Sequence, residues 1–449
     1  MTAEKHFHPV AALHLLRRTL LVCLLPLLQV LSERNWAALR AALQMDLVLF
    51  VLLGALCWAV CHASRWQIDP QGTVHVCWRL GIRLDRFLRA DALAALVIDQ
   101  PLFYRLTGAC RVVMYPAGQN RTITLYVTRA DACQLADRLL PIEQPLRHSP
   151  KGGEKLAFTV LGANGLSTLA LWGLAIRQSR SYAPDAGTAA FTQLSRLAAL
   201  AARWLPVGTA WMLVLAGTLF CASLARSALQ AAHYTVWRTD TQLGSRGGLV
   251  HRYEMRICRA QLNYAGLRRS PATRAMHYCP VVVSAGACKP ELPLFVWKEG
   301  SPLLQEMLPD IVLPPAAPVD TTGRSLMYFL PAGLPLALCL LLTAVSCTVL
   351  PALTLPLLIP DGLFAALLAA AAVGRQREGI WQQHGTLTLC RQHGFHLYCL
   401  CVFHPDTAFS RLQSPWAVAA GRANLTLVFP GREKIKVRSV PLTALDFPM

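Results

Sequence analysis

Gln100–Gly118, QPLFYRLTGACRVVMYPAG, decides how this 449-residue chain is organised, because Gln413–Gly431, QSPWAVAAGRANLTLVFPG, repeats its frame without a gap. Gln100-x7-Gly108-x9-Gly118 becomes Gln413-x7-Gly421-x9-Gly431. An earlier glycine keeps its distance as well. Gly81 to Gly118 is 37 residues, Gly248 to Gly286 is 38, and Gly394 to Gly431 is 37. A period of that length is a whole supersecondary unit, so the chain reads as three related modules. The glycines mark turns and sharp bends, where a Cβ would restrict the backbone.

Each copy follows a pair of apolar runs. These are Thr19–Leu31 with Leu47–Ser64, Leu156–Ile176 with Leu205–Ala225, and Leu326–Gly374, which must turn near Pro351 or Pro360. A bilayer core about 30 Å thick takes about 20 helical residues. The expected fold is therefore membrane α plus β, with six transmembrane helices in three hairpins and a β-rich module after each. The boundaries are hairpin 1 over 1–64, module 1 over 65–149, hairpin 2 over 150–228, module 2 over 229–322, hairpin 3 over 323–375 and module 3 over 376–449. Arg17 and Arg18 precede the first run and can snorkel. Ser32-Glu33-Arg34 gives no small-x-small cleavage site, so the N-terminus is expected to be an uncleaved anchor. Basic residues near the span ends, Lys5, Arg17, Arg18 and Arg65 against Arg34 and Arg40, then Arg324, Arg375 and Arg377 against none, place the N-terminus and all modules in the cytoplasm. Hairpin 2 is a tie, with Arg177, Arg180, Arg196 and Arg203 against Arg147, Lys151, Lys155 and Arg226.

Composition supports a membrane protein. Hydrophobic residues make up 54% and charged residues only 15%, where soluble chains average about 25% charged. The net charge of +19 suits anionic headgroups on the cytoplasmic face. No dense Lys/Arg run is interleaved with stacking aromatics, so nucleic acid is not an expected partner. Six of the fifteen cysteines lie in apolar runs and most others alternate along predicted strands, which fits a reducing compartment.

Within the copies the hydrophobic period changes to two. Trp66-x-Ile68, Val74-x-Val76-x-Trp78, Val112–Tyr115 and Ile123–Val127 read as strands, and Thr128 with Asp131 caps a helix through Leu140. Copy two repeats this order, ending in a helix from Ser301-Pro302 to Leu308. Copy three keeps the strands but only a stub, Leu442–Leu445, of the helix. Paired spans followed by such modules, with His8-Pro9 ahead of the first and the Gln100–Gly118, Ser270–Gly286 and Gln413–Gly431 stretches in register, resemble the bacterial pleckstrin-homology-like membrane proteins of the YdbS/YdbT type. The resemblance implies a split, curved β-barrel with a C-terminal helix in each module, and envelope-associated roles. Copy two departs from it in lacking the glycine equivalent to Gly108.

Candidate sites follow from charge and from Cys/His spacing. Arg79, Arg83, Arg86 and Arg89 in copy one, and Arg252, Arg256 and Arg259 in copy two, are the candidate lipid-facing residues. Asp85, Asp91 and Glu254 interrupt them, as on an ordinary solvated face. Cys390, His393, His396, Cys399, Cys401 and His404 raise a metal site, but they straddle a hairpin without closely spaced ligand pairs, so core cysteines and exposed histidines are expected instead. No H-E-x-x-H, G-x-S-x-G or phosphate-cradling glycine loop is present, and no enzyme, cofactor or metal is expected. The expected function is non-catalytic. Three cytoplasmic modules of a bacterial inner-membrane protein would bind anionic lipid or a protein partner, either a single-module paralogue or a second copy. Transport through the helices is the alternative, with Asp361 as its candidate ionisable residue.

Overall fold

In this computed structural model the residues described are 4–14, 16, 36–80, 82–118, 121–162, 192–193, 195–200, 202–203, 207–288, 292–314, 329–349, 351–383, 386–394, 396–403 and 408–442. Strand β1 (Lys5–His6) and helix α1 (Trp36–Ala63) come first. Copy one then runs β2 (Arg65–Ile68), β3 (Val74–Leu80), β4 (Ile82–Leu88), a 3-10 turn, β5 (Leu93–Gln100), α2 (Leu102–Leu106), β6 (Ala109–Pro116), β7 (Ile123–Thr128) and α3 (Arg129–Leu139). After β8 (Leu146–His148), α4 (Gly152–Gly162) and α5 (Val207–Ala231), copy two repeats the order. Its elements are β9 (Thr235–Arg238), β10 (Gln242–Gly247), β11 (Arg252–Cys258), a 3-10 turn, β12 (Leu262–Arg269), α6 (Pro271–Met276), β13 (Tyr278–Ala285), β14 (Phe295–Lys298) and α7 (Leu303–Met307). Helices α8 (Leu330–Val349) and α9 (Pro351–Arg375) lead to copy three: β15 (Gly379–Gln383), β16 (Thr386–His393), β17 (His396–Val402), β18 (Ala408–Leu412), α10 (Pro415–Ala419), β19 (Arg422–Val428) and β20 (Lys434–Pro441). Three strands, then strand, short helix and two strands, is the shared plan.

The repeated residues hold the same local geometry. Gly108 and Gly421 follow the short helices α2 and α10 with φ of 72° and 61°. Gln100 Nε2 donates to the Ala109 carbonyl at 3.1 Å, and Gln413 Nε2 donates to the Arg422 carbonyl at 3.0 Å. Copy two reaches the same bend without glycine. His277 closes α6 in the left-handed region at φ 58°, behind a Ser270–Thr273 capping box. The later glycines, Gly118, Gly286 and Gly431, have φ of 73°, 52° and 84°, and Gly248 and Gly394 turn their hairpins at 93° and 58°. Gly81 lies outside the described residues. Thr128 caps α3 by accepting from the Asp131 amide, as its sequence leads one to expect.

The expected six spans in three hairpins are not found. The architecture is mixed α/β with four sheets. Among the described residues one helical stretch, Ala332–Val349, is long and apolar enough to cross a bilayer, with mean hydropathy 2.1. Shorter apolar stretches among the described residues are Leu47–Ala63 of α1 and Pro360–Ala372 of α9, each below the about 20 residues a bilayer core requires. The expected span Thr19–Leu31, residues 163–176 of the expected span Leu156–Ile176, and the stub Leu442–Leu445 beyond its first residue lie outside the described residues.

Two compact units are present. The first comprises Met1–Arg147, Trp237–Gln261 and Ala285–Cys288, and the second His148–Val236, Leu262–Ser284 and Lys289–Met449. This division cuts through copy two, and the strand order shows why. Within the first unit, β1-β2-β3-β4 forms one sheet. A seven-stranded sheet runs β7-β6-β5-β11-β10-β9-β8, its first five strands lying wholly in that unit. Within the second unit, β14-β13-β12-β17-β16-β15 makes six strands and β18-β19-β20 makes three. Copy two is thus dealt out between two sheets. Its first three strands extend the last three of copy one, and its last three extend the first three of copy three.

Both joints are antiparallel and join equivalent strands. In the first, β11 pairs with β5, Leu96 opposite Arg256 and Ala95 opposite Ile257. In the second, β12 pairs with β17, Gly266 opposite Leu400 and Leu267 opposite Cys399. Gly266 permits the second approach, since a Cβ there would sit 2.1 Å from the Cys399 carbonyl oxygen and 2.7 Å from Leu400 Cα. The first unit's core gathers Trp66, Val76, Leu96, Met114, Leu125 and Leu135, and a cluster in the second unit gathers Leu389, Leu400, Leu427 and Val437. Gly266→Val is expected to destabilise the second unit by about 1–3 kcal/mol through this clash. Amide exchange should then accelerate in β12 and β17 together, while β5 and β11 keep their protection.

Candidate interaction surfaces

The basic residues separate by position. Arg79 and Arg83 stand opposite one another across β3 and β4, and both are exposed. Arg83 pairs with Asp85 at 2.8 Å, while the exposed Arg89 makes two contacts with Asp91. Half-buried Arg86 donates to the Thr122 carbonyl at 3.4 Å, and half-buried Arg259 to that of Asp240 at 3.0 Å; Arg252 is also half-buried. On the same face of the sheet, the Cys77 thiol hydrogen bond, helped by Arg83 and His75, holds the Asp85 carboxyl below the usual carboxylate range. The acidic residues therefore spend part of this charge locally.

Arg256 is a correction. It is only 4% exposed and cannot face lipid. Its guanidinium donates to Glu254 at 2.8 and 2.7 Å, to Asp137 at 2.8 Å and to the Leu140 carbonyl at 2.7 Å. It fastens β11 to the end of α3 across the first joint. A buried cation is tolerated only when its donors are matched in this way.

An apolar patch that the charge pattern does not mark lies elsewhere on the first unit. Leu102, Phe103 and Leu106 project from α2, with Leu106 79% exposed, and Leu249 and Val250 project from the turn between β10 and β11. Arg105 Nη1 donates to the Leu249 carbonyl at 2.6 Å and so fastens helix and turn together. Gly248 fixes the turn's shape, because a Cβ would lie 1.9 Å from the His251 carbonyl oxygen. Large apolar side chains left exposed on a helix and a turn that a hydrogen bond joins make this a candidate contact surface. Leu102-Phe103-x2-Leu106 was the available sequence signal: a single-turn helix has no second side on which to hide three apolar residues.

An ionic network supports this patch. Asp99 on β5 is bonded to Arg111 and lies 3.6 Å from His251, at the foot of the turn. Burial pushes the Asp99 carboxyl up, but the hydrogen bonds from His251 and Arg111 outweigh it and leave the value lowered.

In copy three, Cys390 and Cys399 face each other across β16 and β17 with their sulfurs 2.6 Å apart. The hydrogen bond to Cys399 and burial push the Cys390 thiol up. His393 and His396 close the hairpin, and His404 lies outside the described residues. No group of three or more His, Cys, Asp or Glu among the described residues could hold a metal ion. In the helices, Asp361 of α9 is buried and accepts from Thr343 Oγ1 of α8 at 2.8 Å, and its other oxygen has no hydrogen-bond partner among the described residues. Ser346 and Thr354 lie 3.3 Å apart between the same two helices.

A carboxyl lowered on folding stabilises the protein above its unfolded value of about 3.9, and loses that contribution as pH falls through the folded value. The first unit should accordingly weaken as pH drops below about 4. Asp99→Asn should cost about 1–3 kcal/mol at neutral pH by leaving Arg111 without its charge partner, and should flatten this acid limb in a pH series of thermal melts.

Comparison with protein-family models, with curated proteins and with solved structures finds no match to this chain.

Proposed function

We propose that this chain is a non-catalytic, membrane-associated interaction protein whose β-rich modules work at an anionic lipid surface. The exposed patch of Leu102, Phe103, Leu106, Leu249 and Val250 carries this reading. Apolar side chains on short loops enter the headgroup region while neighbouring cations meet the phosphates, and both terms add. Arg252 stands beside the turn, and the net charge of +19 favours the same surface. The apolar stretch Ala332–Val349 supplies a candidate anchor that would hold the modules close to lipid. The resemblance to bacterial pleckstrin-homology-like membrane proteins points the same way, towards the cytoplasmic face of a bacterial inner membrane. Several weak contacts on one tethered chain would add through effective concentration.

Hydrogen exchange of the full chain in nanodiscs tests this. Residues 102–106 and 248–251 should be more protected in phosphatidylglycerol-containing discs than in purely phosphatidylcholine discs. The difference should vanish at high salt and in the Leu106→Asp variant. Equal exchange in both discs would remove the lipid reading.

Transport is the second reading, and the buried carboxylate of Asp361 favours it. An ionisable group inside an apolar helix pair is a candidate member of an ion or proton path. Asp361→Asn should abolish proton flux into protein-loaded vesicles if that path exists. Unchanged vesicles, with no flux from either protein, would dismiss it.

A further inference from the structure

The two internal joints leave a matching pair of strands over. At each joint the last strand of one copy's opening triplet lies against the first strand of the preceding copy's closing triplet. These pairs are β11 with β5, and β17 with β12. Copy one's own strand of the first kind is β4, and copy three's strand of the second kind is β18. Both end their sheets with no neighbouring strand among the described residues.

Burial distinguishes the used edges from the unused ones. In β5 and β12 most residues are buried, and Leu96, Ile257, Ala265 and Leu267 at the joints are fully enclosed. All five residues of β18 are exposed instead. On β4, Leu84 points to the same side as buried Leu88, yet it is 47% exposed. Phe409 and Arg411 occupy the corresponding side of β18, opposite buried Leu427 and Leu425. Other outer strands do not raise the same expectation. β7, β14 and β20 occupy one equivalent position in the three copies, and each ends its sheet.

We propose that β4 of one copy pairs antiparallel with β18 of a second copy of this chain, forming the joint that the chain already makes twice internally. The occupant is set by this repetition, because each of these outer strands belongs to a class that meets the other class wherever one copy follows another along the chain. An unpaired edge offers a row of backbone donors and acceptors that another strand can satisfy. Leu84 and Phe409 would come together and continue one hydrophobic layer across the joint. Since the two edges differ, the contact is head-to-tail, and assemblies would either close into rings or extend as filaments. This inference goes beyond lipid binding and stands without it.

The test uses the full chain in detergent, with benzoylphenylalanine in place of Leu84 on one tagged copy and a second tag on the other. Illumination should give adducts between the two tags that map to residues 408–412. Light scattering should show mass rising with concentration. Leu84→Lys, at a position exposed enough to keep the fold, should weaken self-association about tenfold by setting a second cation near Arg411. Circular dichroism of that variant should be unchanged. A monomer at every concentration, adducts confined to one chain, adducts mapping elsewhere, or adducts to another protein would each overturn the proposal.

Discussion

Two backbone ladders, β5 with β11 and β12 with β17, are the contacts on which this architecture depends. A strand edge left bare costs unpaired polar groups and invites foreign pairing, so a chain of repeated β modules must dispose of its edges. This protein does so by passing strands between copies. The middle copy has no sheet of its own. Its opening strands complete one sheet and its closing strands another, and the compact units follow the sheets rather than the sequence repeat. Gly266 shows how narrowly one joint is built, since the partner strand occupies the space of its missing Cβ.

The same joints organise the charge. Arg256 would be a surface cation on an isolated copy two. Because β11 lies against copy one, it becomes a buried bridge to Asp137, Glu254 and the Leu140 carbonyl. Asp99, opposite Tyr253 in the joint, holds Arg111 and His251 and thereby supports the turn that presents Leu249 and Val250. The contact surface proposed for lipid is therefore a product of the first joint. It combines α2 of copy one with a hairpin of copy two, 144 residues apart at Arg105 and Leu249.

Local features were legible because they depend on neighbours in sequence. The Thr128 cap, the left-handed glycines at 108 and 421, and the Gln100 and Gln413 side chains that bridge to the bend all lie within ten residues of their partners. His277 shows the limit of reading by residue type. The bend survived in copy two although the glycine did not, because a capping box at Ser270 and Thr273 holds the helix whose end it forms. Hydropathy was a poorer guide. It led to an expectation of six spans, whereas among the described residues one stretch, Ala332–Val349, is long and apolar enough to cross a bilayer.

By itself, the sequence determined a threefold repeat, the order of strands and short helices in each copy, and the turns between them, because hydrogen bonds and steric limits of a few residues encode these. Tertiary structure alone decided which strands became neighbours, which arginines were buried, and which loops were brought together into one patch. The physical reason is that backbone donors and acceptors are the same at every residue. An edge carries no address in its side chains until packing of the whole sheet selects its partner.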